Sequence, residues 1–173
     1  LMGGSIAAKS GREKGTVFRV ELAFDRMEEK EKTEAESEAL AGKRLLLAED
    51  DRLCGEILCE LMEDETGRPV SITANGRAAL EMFESANGEY DAIIMDVQMP
   101  VMNGYEAARA IRRSGCGNAK TVPIIALTAD ASEESARSAA DSGMNGCLAK
   151  PVNIDRLRKA VAAALKSLSV AYR

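Results

Sequence analysis

The chain of 173 residues contains no histidine, and this absence excludes several kinds of chemistry. Without an imidazole, the cysteines cannot complete a Cys–His zinc site or a Cys–His pair. No residue of the chain can be a phosphohistidine, so a phosphoryl group would have to come from another molecule or from another part of a longer protein. No Cys-x-x-Cys spacing occurs, and we expect reduced, mostly buried thiols at Cys54, Cys59, Cys116 and Cys147.

Long apolar runs and an excess of positive charge are missing as well. No uninterrupted apolar stretch approaches the roughly 18 residues that a membrane span needs, and no signal-peptide pattern opens the chain. We expect a soluble, cytoplasmic chain without membrane contact of its own, although its parent protein can carry a membrane anchor. The net charge of -5, with no basic stripe and interleaved aromatic residues, predicts that the chain does not bind nucleic acid.

Composition divides the chain into three parts. Residues 1–24 begin with a glycine-rich stretch, and the alternating run Val17–Phe24 predicts a hairpin with Ile6–Ser10 as its partner strand. Residues 25–42 are dense in charge and poor in large apolar groups, which predicts a linker, partly helical or disordered. An acidic docking motif is the alternative for that segment. Residues 43–173 are long enough to form one domain with its own core.

Apolar runs alternate with amphipathic stretches in this last part, which is typical of βαβ units and a parallel sheet. The predicted strands are Arg44–Ala48, Pro69–Thr73, Ala92–Met95, Ile124–Leu127 and Gly146–Leu148. The helix after the first strand is expected to bury one face formed by Leu53, Ile57, Leu58 and Leu61. We therefore expect an α/β domain with a doubly wound, five-stranded parallel sheet and helices on both faces.

Polar residues stand where the apolar runs stop. Glu49 and Asp50 follow the first strand, Asp96 ends the third, Thr128 follows the fourth and Lys150 follows the fifth. The carboxyl ends of parallel strands converge on one crevice, where ligands bind in such sheets. The sequence thus predicts a pocket with carboxylates, a hydroxyl and an ammonium, and carboxylate oxygens are ligands that Mg²⁺ prefers.

This arrangement, with the string Met95-Asp-Val-Gln-Met-Pro-Val-Met-Asn-Gly104, resembles the receiver domain of two-component signalling. The resemblance implies the flavodoxin-like strand order 2-1-3-4-5 and a phosphoryl group transferred to Asp96. Lys150 and Thr128 would each contact one oxygen of that group. The family also has a cis peptide bond at the position of Lys150–Pro151.

A Mg²⁺ site follows from the same resemblance. Its implied ligands are Asp50, Asp96 and the backbone carbonyl of Gln98, with Glu49 acting through water. Asp51 lies outside the acidic pair, and we interpret it as a helix cap or a surface acid.

The chain departs from the family pattern at one position. Cys147 stands where the family usually has a tyrosine or phenylalanine whose rotamer follows the threonine, so that aromatic switch lacks its side chain here. Movement of Thr128 and the loop after it could still reshape the neighbouring surface. Gln98 and Asp130 occupy positions at which the family tunes hydrolysis of the acyl phosphate.

The hairpin in residues 1–24 resembles the end of a histidine-kinase ATP-binding domain. With the linker and the receiver, it suggests the carboxy-terminal part of a hybrid sensor histidine kinase, and no output domain is expected after it. The kinase core would donate the phosphoryl group, and a histidine phosphotransfer protein would receive it. A receiver catalyses its own phosphorylation and dephosphorylation, whereas kinase activity would belong to the parent, because the ATP site is absent from these residues.

Two other functions compete with phosphorelay. A phosphatase of the haloacid dehalogenase type also uses a strand-end aspartate and Mg²⁺, but it needs a second aspartate where this chain has Gln98. A phosphorylation-independent interaction module of receiver-like fold is the other alternative, and Cys147 is its support. The sequence predicts no particular oligomeric state.

Overall fold

The structure, a computed structural model, describes residues 5–11, 15–21, 34–130 and 132–171. The chain divides into two compact units, Leu1–Glu31 and Lys32–Arg173. Within the described ranges, no helix combines the length and the apolar character that crossing a membrane requires.

The first unit is an antiparallel hairpin of two strands. Strand β1 (Ser5–Gly11) pairs with β2 (Gly15–Glu21), and Ala8 lies opposite Phe18 in the register. Phe18 is 67% exposed, so the apolar face of the hairpin has little cover within the described residues. The predicted second strand runs further, into residues 22–24, which lie outside the described residues.

The second unit contains a five-stranded parallel sheet in the order β4-β3-β5-β6-β7. Its strands are β3 (Leu45–Ala48), β4 (Ser71–Thr73), β5 (Ala92–Asp96), β6 (Ile124–Thr128) and β7 (Gly146–Ala149). Numbered within this domain, the order is 2-1-3-4-5, which confirms the predicted fold. The predicted strands agree with the observed ones to within one residue at each end, except at the start of β4.

Strand β4 begins at Ser71 and not at Pro69, as the sequence predicts. Proline has no N–H group to donate to a neighbouring strand. The N–H group of Val70 donates instead to the Glu63 side chain at 2.9 Å. The sheet pairing therefore starts two residues later than the apolar run suggests.

Helices lie on both faces of the sheet. They are α1 (Glu34–Leu40), α2 (Arg52–Thr66), α3 (Gly76–Ser85), α4 (Gly104–Arg113), α5 (Glu133–Asp141) and α6 (Ile154–Ala171). Side-chain oxygens of Asp51, Asn75, Asn103 and Ser132 accept backbone N–H groups in the first turns of α2, α3, α4 and α5. These caps replace the hydrogen bonds that the first turn of a helix lacks and fix where each helix starts.

Two apolar layers enclose the sheet. Leu46 of β3 packs with residues of α3 and α4 on one face, whereas Leu45 and Leu47 pack with residues of α2 and α6 on the other. This alternation follows from the two-residue period of a strand. Because both faces are covered, the strands are continuous apolar runs, and the polar residue that ends each run marks the edge of the sheet.

The buried face of α2 differs from the predicted one. Leu58 is buried, but Leu53 is 66% exposed and Ile57 is 49% exposed. The sheet instead receives Gly55, Leu58 and Met62, and the stripe of Leu53 and Ile57 lies on a different side of the helix. The prediction of a single buried apolar face was therefore wrong for this helix.

Helix α1 lies within the range that the sequence predicts as a linker. It packs against α2 and α6, and its last residue, Leu40, is completely buried in the layer that contains Leu45 and Leu157. Residues 34–42 thus belong to the second compact unit.

The start of α4 lies very close to the end of β5. A Cβ atom added to Gly104 would overlap the backbone carbonyl oxygen of Asp96. Gly55 in α2 is different, because a Cβ atom there would overlap the tip of the Ile72 side chain, which is 42% exposed, and would otherwise make ordinary contact with Glu49. Backbone cannot give way as a flexible side chain can.

Replacing Gly104 with alanine should therefore lower the free energy of unfolding by about 1–3 kcal/mol, since the sheet edge must shift to accommodate the new atom. Gly55→Ala is the matched control, and it should cost less because Ile72 can move and alanine favours a helix by about 1 kcal/mol. Urea unfolding followed by circular dichroism measures both values. Equal destabilisation by the two substitutions would contradict this account of the contact.

Candidate functional site

The ends of four strands bring the predicted site residues to one edge of the sheet. Lys150 extends from the end of β7 to the end of β5, where its Nζ lies 2.8 Å from Asp96 Oδ2. The same Nζ is 2.8 Å from Glu49 Oε1 and 2.7 Å from Glu49 Oε2, at the end of β3. Asp96 and Glu49 are almost fully buried. One partly exposed ammonium thus contacts two buried carboxylates.

A third carboxylate completes an acidic cluster. Oxygens of Glu49, Asp50 and Asp96 lie within 4.8 Å of one another, and Asp50 is the exposed member. The N–H group of Gln98 donates to Asp96 Oδ1 at 3.1 Å, which places the Gln98 main chain beside the same carboxylate. Three of the four predicted metal ligands therefore lie together, and the main chain of the fourth, Gln98, contacts one of them.

The cluster fits a small, hard cation. Glu49 Oε2 is buried and, among the described residues, finds no hydrogen-bond donor in acceptable geometry, although Lys150 Nζ is close to it. Lys150 supplies one positive charge near this oxygen, and a metal ion or a water molecule can supply the contact that its burial still requires. With Asp50 exposed at the opening, the oxygen donors match those that Mg²⁺ prefers.

The net effect of burial and neighbouring charges is to raise the pKa values of both Glu49 and Lys150. Desolvation raises the pKa of Glu49, the hydrogen bond from Lys150 lowers it in part, and the charge of Asp96 raises it again. For Lys150, desolvation alone would lower the pKa, but hydrogen bonds to Asp96 and Glu49 outweigh it and raise the pKa. The ammonium is therefore held in its charged form beside the carboxylates.

Thr128 lies at the next strand end but makes a different contact. Its hydroxyl donates to the backbone oxygen of Asp130 at 3.1 Å, and the N–H group of Asp130 lies 3.3 Å from the same Oγ1. Among the described residues, no hydrogen bond joins Thr128 to Asp96. The hydroxyl is thus engaged with its own loop in this conformation.

The remaining expectations concern residues around this cluster. The Lys150–Pro151 bond is cis, as the resemblance implied. Asp51 caps α2 by accepting the N–H group of Cys54 at 2.8 Å. The four cysteines are free, but Cys54 is exposed and the other three are only half-buried, so the expectation of mostly buried thiols was wrong.

Tyr105 was not identified from the sequence. It lies near Cys147. Burial is the main cause that raises the pKa of its phenol, and the nearby thiol is the second cause. Its hydroxyl donates to the backbone oxygen of Ser135 in α5 at 3.4 Å. No sequence pattern connects Tyr105 with Cys147, because the two residues are far apart in the chain and come close only in the folded structure.

Comparison with known families decides what this arrangement is. Residues 45–162 match the response regulator receiver domain family. The chain belongs to this family. It is a receiver domain of two-component phosphorelay, a class of protein that binds Mg²⁺ in its acidic pocket.

Individual relatives of this receiver are consistent with that assignment. Probable histidine kinase 2 of Oryza sativa subsp. indica is 35% identical over 148 residues, which cover 79% of this chain and 14% of that protein. The receiver domain of sensor histidine kinase PA1611 from Pseudomonas aeruginosa PAO1 is 37% identical, with a TM-score of 0.60. That alignment covers 73% of this chain and 99% of the other, and that structure has a magnesium ion coordinated in the active site cleft.

A third relative comes from a complex. The co-crystal structure of the Saccharomyces cerevisiae histidine phosphotransfer signaling protein Ypd1 and the receiver domain of its downstream response regulator Ssk1 contains a chain 30% identical to this receiver. The TM-score is 0.63, and the alignment covers 70% of this chain and 88% of the other.

Mg²⁺ should stabilise this receiver, because it offsets the repulsion among three carboxylates. At 100 times the dissociation constant, the expected gain is about 2.7 kcal/mol. Asp50→Asn should remove most of the gain, as seen in thermal unfolding with and without MgCl₂.

The matched control is Asp51→Asn, which removes the same charge one residue away. Asparagine caps a helix as well as aspartate does, so α2 should keep its cap. An unchanged Mg²⁺ response in Asp50→Asn, or an equal loss in Asp51→Asn, would contradict the proposed ligand set.

Proposed function

We propose that this receiver takes a phosphoryl group from a phosphohistidine onto Asp96 and passes it to a histidine phosphotransfer protein. The observation that carries the proposal is the contact of Lys150 Nζ with the buried Asp96 Oδ2 at 2.8 Å. The ammonium beside this carboxylate can neutralise part of the charge of an incoming phosphoryl group. Asp96 is the proposed acceptor because it ends β5 at the position that resembles the family's phosphoryl acceptor, and its two oxygens contact Lys150 and the Gln98 N–H group.

The transfer exchanges one bond for another. An oxygen of Asp96 forms the new P–O bond while the P–N bond to the donor imidazole breaks, and its electron pair remains on the imidazole nitrogen. Little else is required of the protein than positioning and charge neutralisation. Lys150 would contact one phosphoryl oxygen as a point charge. The hydroxyl of Thr128 would donate a hydrogen bond to another.

The acidic cluster would hold Mg²⁺ during this step. Asp50, Asp96 and the backbone carbonyl of Gln98 would be direct ligands, and Glu49 would act through water. The bound cation supplies neutralisation of the charge that develops on the transferring oxygens. The carboxylate of Glu49 contacts Lys150 Nζ and thereby keeps the ammonium beside the Asp96 carboxylate.

Thr128 connects the acceptor with α5. To reach a phosphoryl oxygen it must release Asp130, whose side chain accepts the N–H group of Ser132 at 3.0 Å. Ser132 caps α5. Phosphorylation would therefore favour a second arrangement of this loop, and it can act as a switch only through such a difference between two states.

The exposed face of α2 is the proposed contact for the partner. Leu53, Ile57 and Leu61 are spaced four residues apart and are 66%, 49% and 37% exposed. The helix starts directly after the acidic pair, so this stripe borders the site. A helical partner can place an apolar face on such a stripe and bring its histidine to Asp96. The known complex of a similar receiver with Ypd1 supports a histidine phosphotransfer protein as the occupant.

The parent protein is part of the same proposal. We assign residues 1–24 to the end of a histidine-kinase ATP-binding domain, 25–42 to a linker and 43–173 to the receiver. The histidine kinases among its relatives support a hybrid kinase as the parent. Kinase activity would then belong to that longer protein.

A phosphorylation-independent interaction module is the second candidate. The observation that favours it is Cys147, half-buried where the family has its aromatic switch residue. In that case the surface would bind partners without any change at Asp96.

Phosphoramidate with Mg²⁺ should phosphorylate the chain once, and Asp96→Asn should abolish the product. Asp91→Asn is the matched control at the other end of the same strand, and it should still react. Intact-mass spectrometry measures the covalent product. A chain that remains unmodified by phosphoramidate and by a phosphorylated histidine phosphotransfer protein would favour the interaction module.

Transfer from the protein donor should also depend on the α2 stripe. Leu53→Ser with Ile57→Ser should slow transfer from a phosphorylated histidine phosphotransfer protein roughly tenfold or more, since interface anchors contribute over 1 kcal/mol each. The rate with phosphoramidate should not change, because that donor needs no docking surface.

Glu81→Ser, an exposed change on α3 at the opposite face of the sheet, is the control for that experiment. It should leave both rates unaltered. Equal rates for the double variant and the unsubstituted chain with the protein donor would place the docking surface elsewhere.

A further inference from the structure

A buried arginine joins three helices away from the acceptor site. Arg158 of α6 is only 3% exposed, and its guanidinium is surrounded by three carboxylates. Nη2 lies 3.0 Å from Asp155 Oδ1 on the same helix. Nη1 is 3.7 Å from Glu65 Oε1 of α2, and Nε is 3.7 Å from Glu36 Oε2 of α1. Glu36 belongs to the segment that the sequence predicts as linker.

The pairing within this cluster is incomplete. A separation of 3.7 Å is too long for a hydrogen bond. Within the described ranges, Glu36 Oε2 and the Nε and Nη2 atoms of Arg158 are buried without a hydrogen bond of acceptable geometry, although Nη2 is 3.0 Å from Asp155 Oδ1. One guanidinium also faces three carboxylates, which repel one another. Burying such groups costs free energy that their attraction offsets only in good geometry.

Helix α1 has little else to hold its first turn. It has seven residues, whereas isolated helices shorter than about 12–15 residues are marginal in water. Its large apolar contact is Leu40, at the last position. The chain just after it is also fixed, since the N–H group of Gly42 donates to Thr66 O at 2.7 Å. The carboxyl end is therefore anchored by packing, and the amino end depends on Glu36.

We propose that α1 is a detachable strap, in which the ion pair between Glu36 and Arg158 keeps the first turn of α1 on α6. Loss of the pair releases residues 34–39 while the sheet and Leu40 stay in place. Release adds six residues to the chain that precedes the domain, which extends its reach by at most about 20 Å. The strap thereby sets the length of free chain that precedes the receiver. It does not depend on phosphorylation chemistry at Asp96.

Hydrogen exchange with mass spectrometry on the full 173-residue chain tests the strap. In the unsubstituted protein, amides of residues 34–40 should exchange more slowly than in a free peptide of the same sequence, but faster than those of β3. Glu36→Lys places a like charge beside Arg158 and should raise exchange in this segment roughly tenfold or more. Glu38→Lys is the matched control, because Glu38 is exposed on the same helix, and it should have no such effect.

A second pair of variants tests the other partner. Arg158→Met keeps a long side chain but removes the charge, and it should raise exchange in residues 34–39 as Glu36→Lys does. Arg156→Met, an exposed position on α6, is its control.

Two results would overturn the proposal. In the first, residues 34–39 exchange at the unsubstituted rate in Glu36→Lys, so the ion pair does not hold them. In the second, β3 and β5 lose protection together with α1 in both Glu36→Lys and Arg158→Met, so the helix is not separable from the domain. Neither result bears on whether phosphoramidate modifies Asp96.

Discussion

Lys150 crosses the edge of the sheet to reach Asp96 and Glu49, and the rest of the fold provides the geometry for that contact. Three strands must end at the same level for the ammonium to contact both carboxylates within 2.8 Å. Apolar layers on both faces fix the heights of those strands. The close approach of Gly104 then brings α4 directly against the carbonyl of the acceptor residue. Packing far from the site thus sets the separation of its charges.

The sequence predicted the sheet and the place of the site well because buried parallel strands leave a simple pattern. Each strand is an unbroken apolar run, and the residue that ends it faces the crevice, as Asp96 and Thr128 do. Pairing with neighbouring strands was less predictable, and Ser71 starts β4 only because Pro69 cannot donate. The positions of hydroxyl hydrogen bonds, such as that of Thr128, depend on the conformation and leave no sequence pattern.

The helices were harder to predict where tertiary contacts decide. Helix α2 carries more apolar residues than the sheet can cover, and periodicity alone does not tell Leu58, which is buried, from Leu53, which is exposed. Helix α1 has a composition typical of a solvated linker, yet one leucine and one ion pair hold it on the domain. In both helices the residue types predicted at least partly helical structure, but tertiary packing determined which residues are buried. The exposed stripe of α2 is the proposed docking surface for the partner, and helix α1 is the proposed strap.

Titration with beryllofluoride and Mg²⁺, followed by amide NMR, shows whether Asp96 is a working phosphoryl acceptor, because this pair mimics a phosphoryl group bound to the aspartate. We expect saturable, Mg²⁺-dependent shifts around Asp50, Asp96, Thr128 and Lys150. They should spread through the loop into α5 and vanish in Asp96→Asn. Absence of saturable shifts in the unsubstituted chain, or identical shifts in Asp96→Asn, would contradict the claim that Asp96 is a working phosphoryl acceptor.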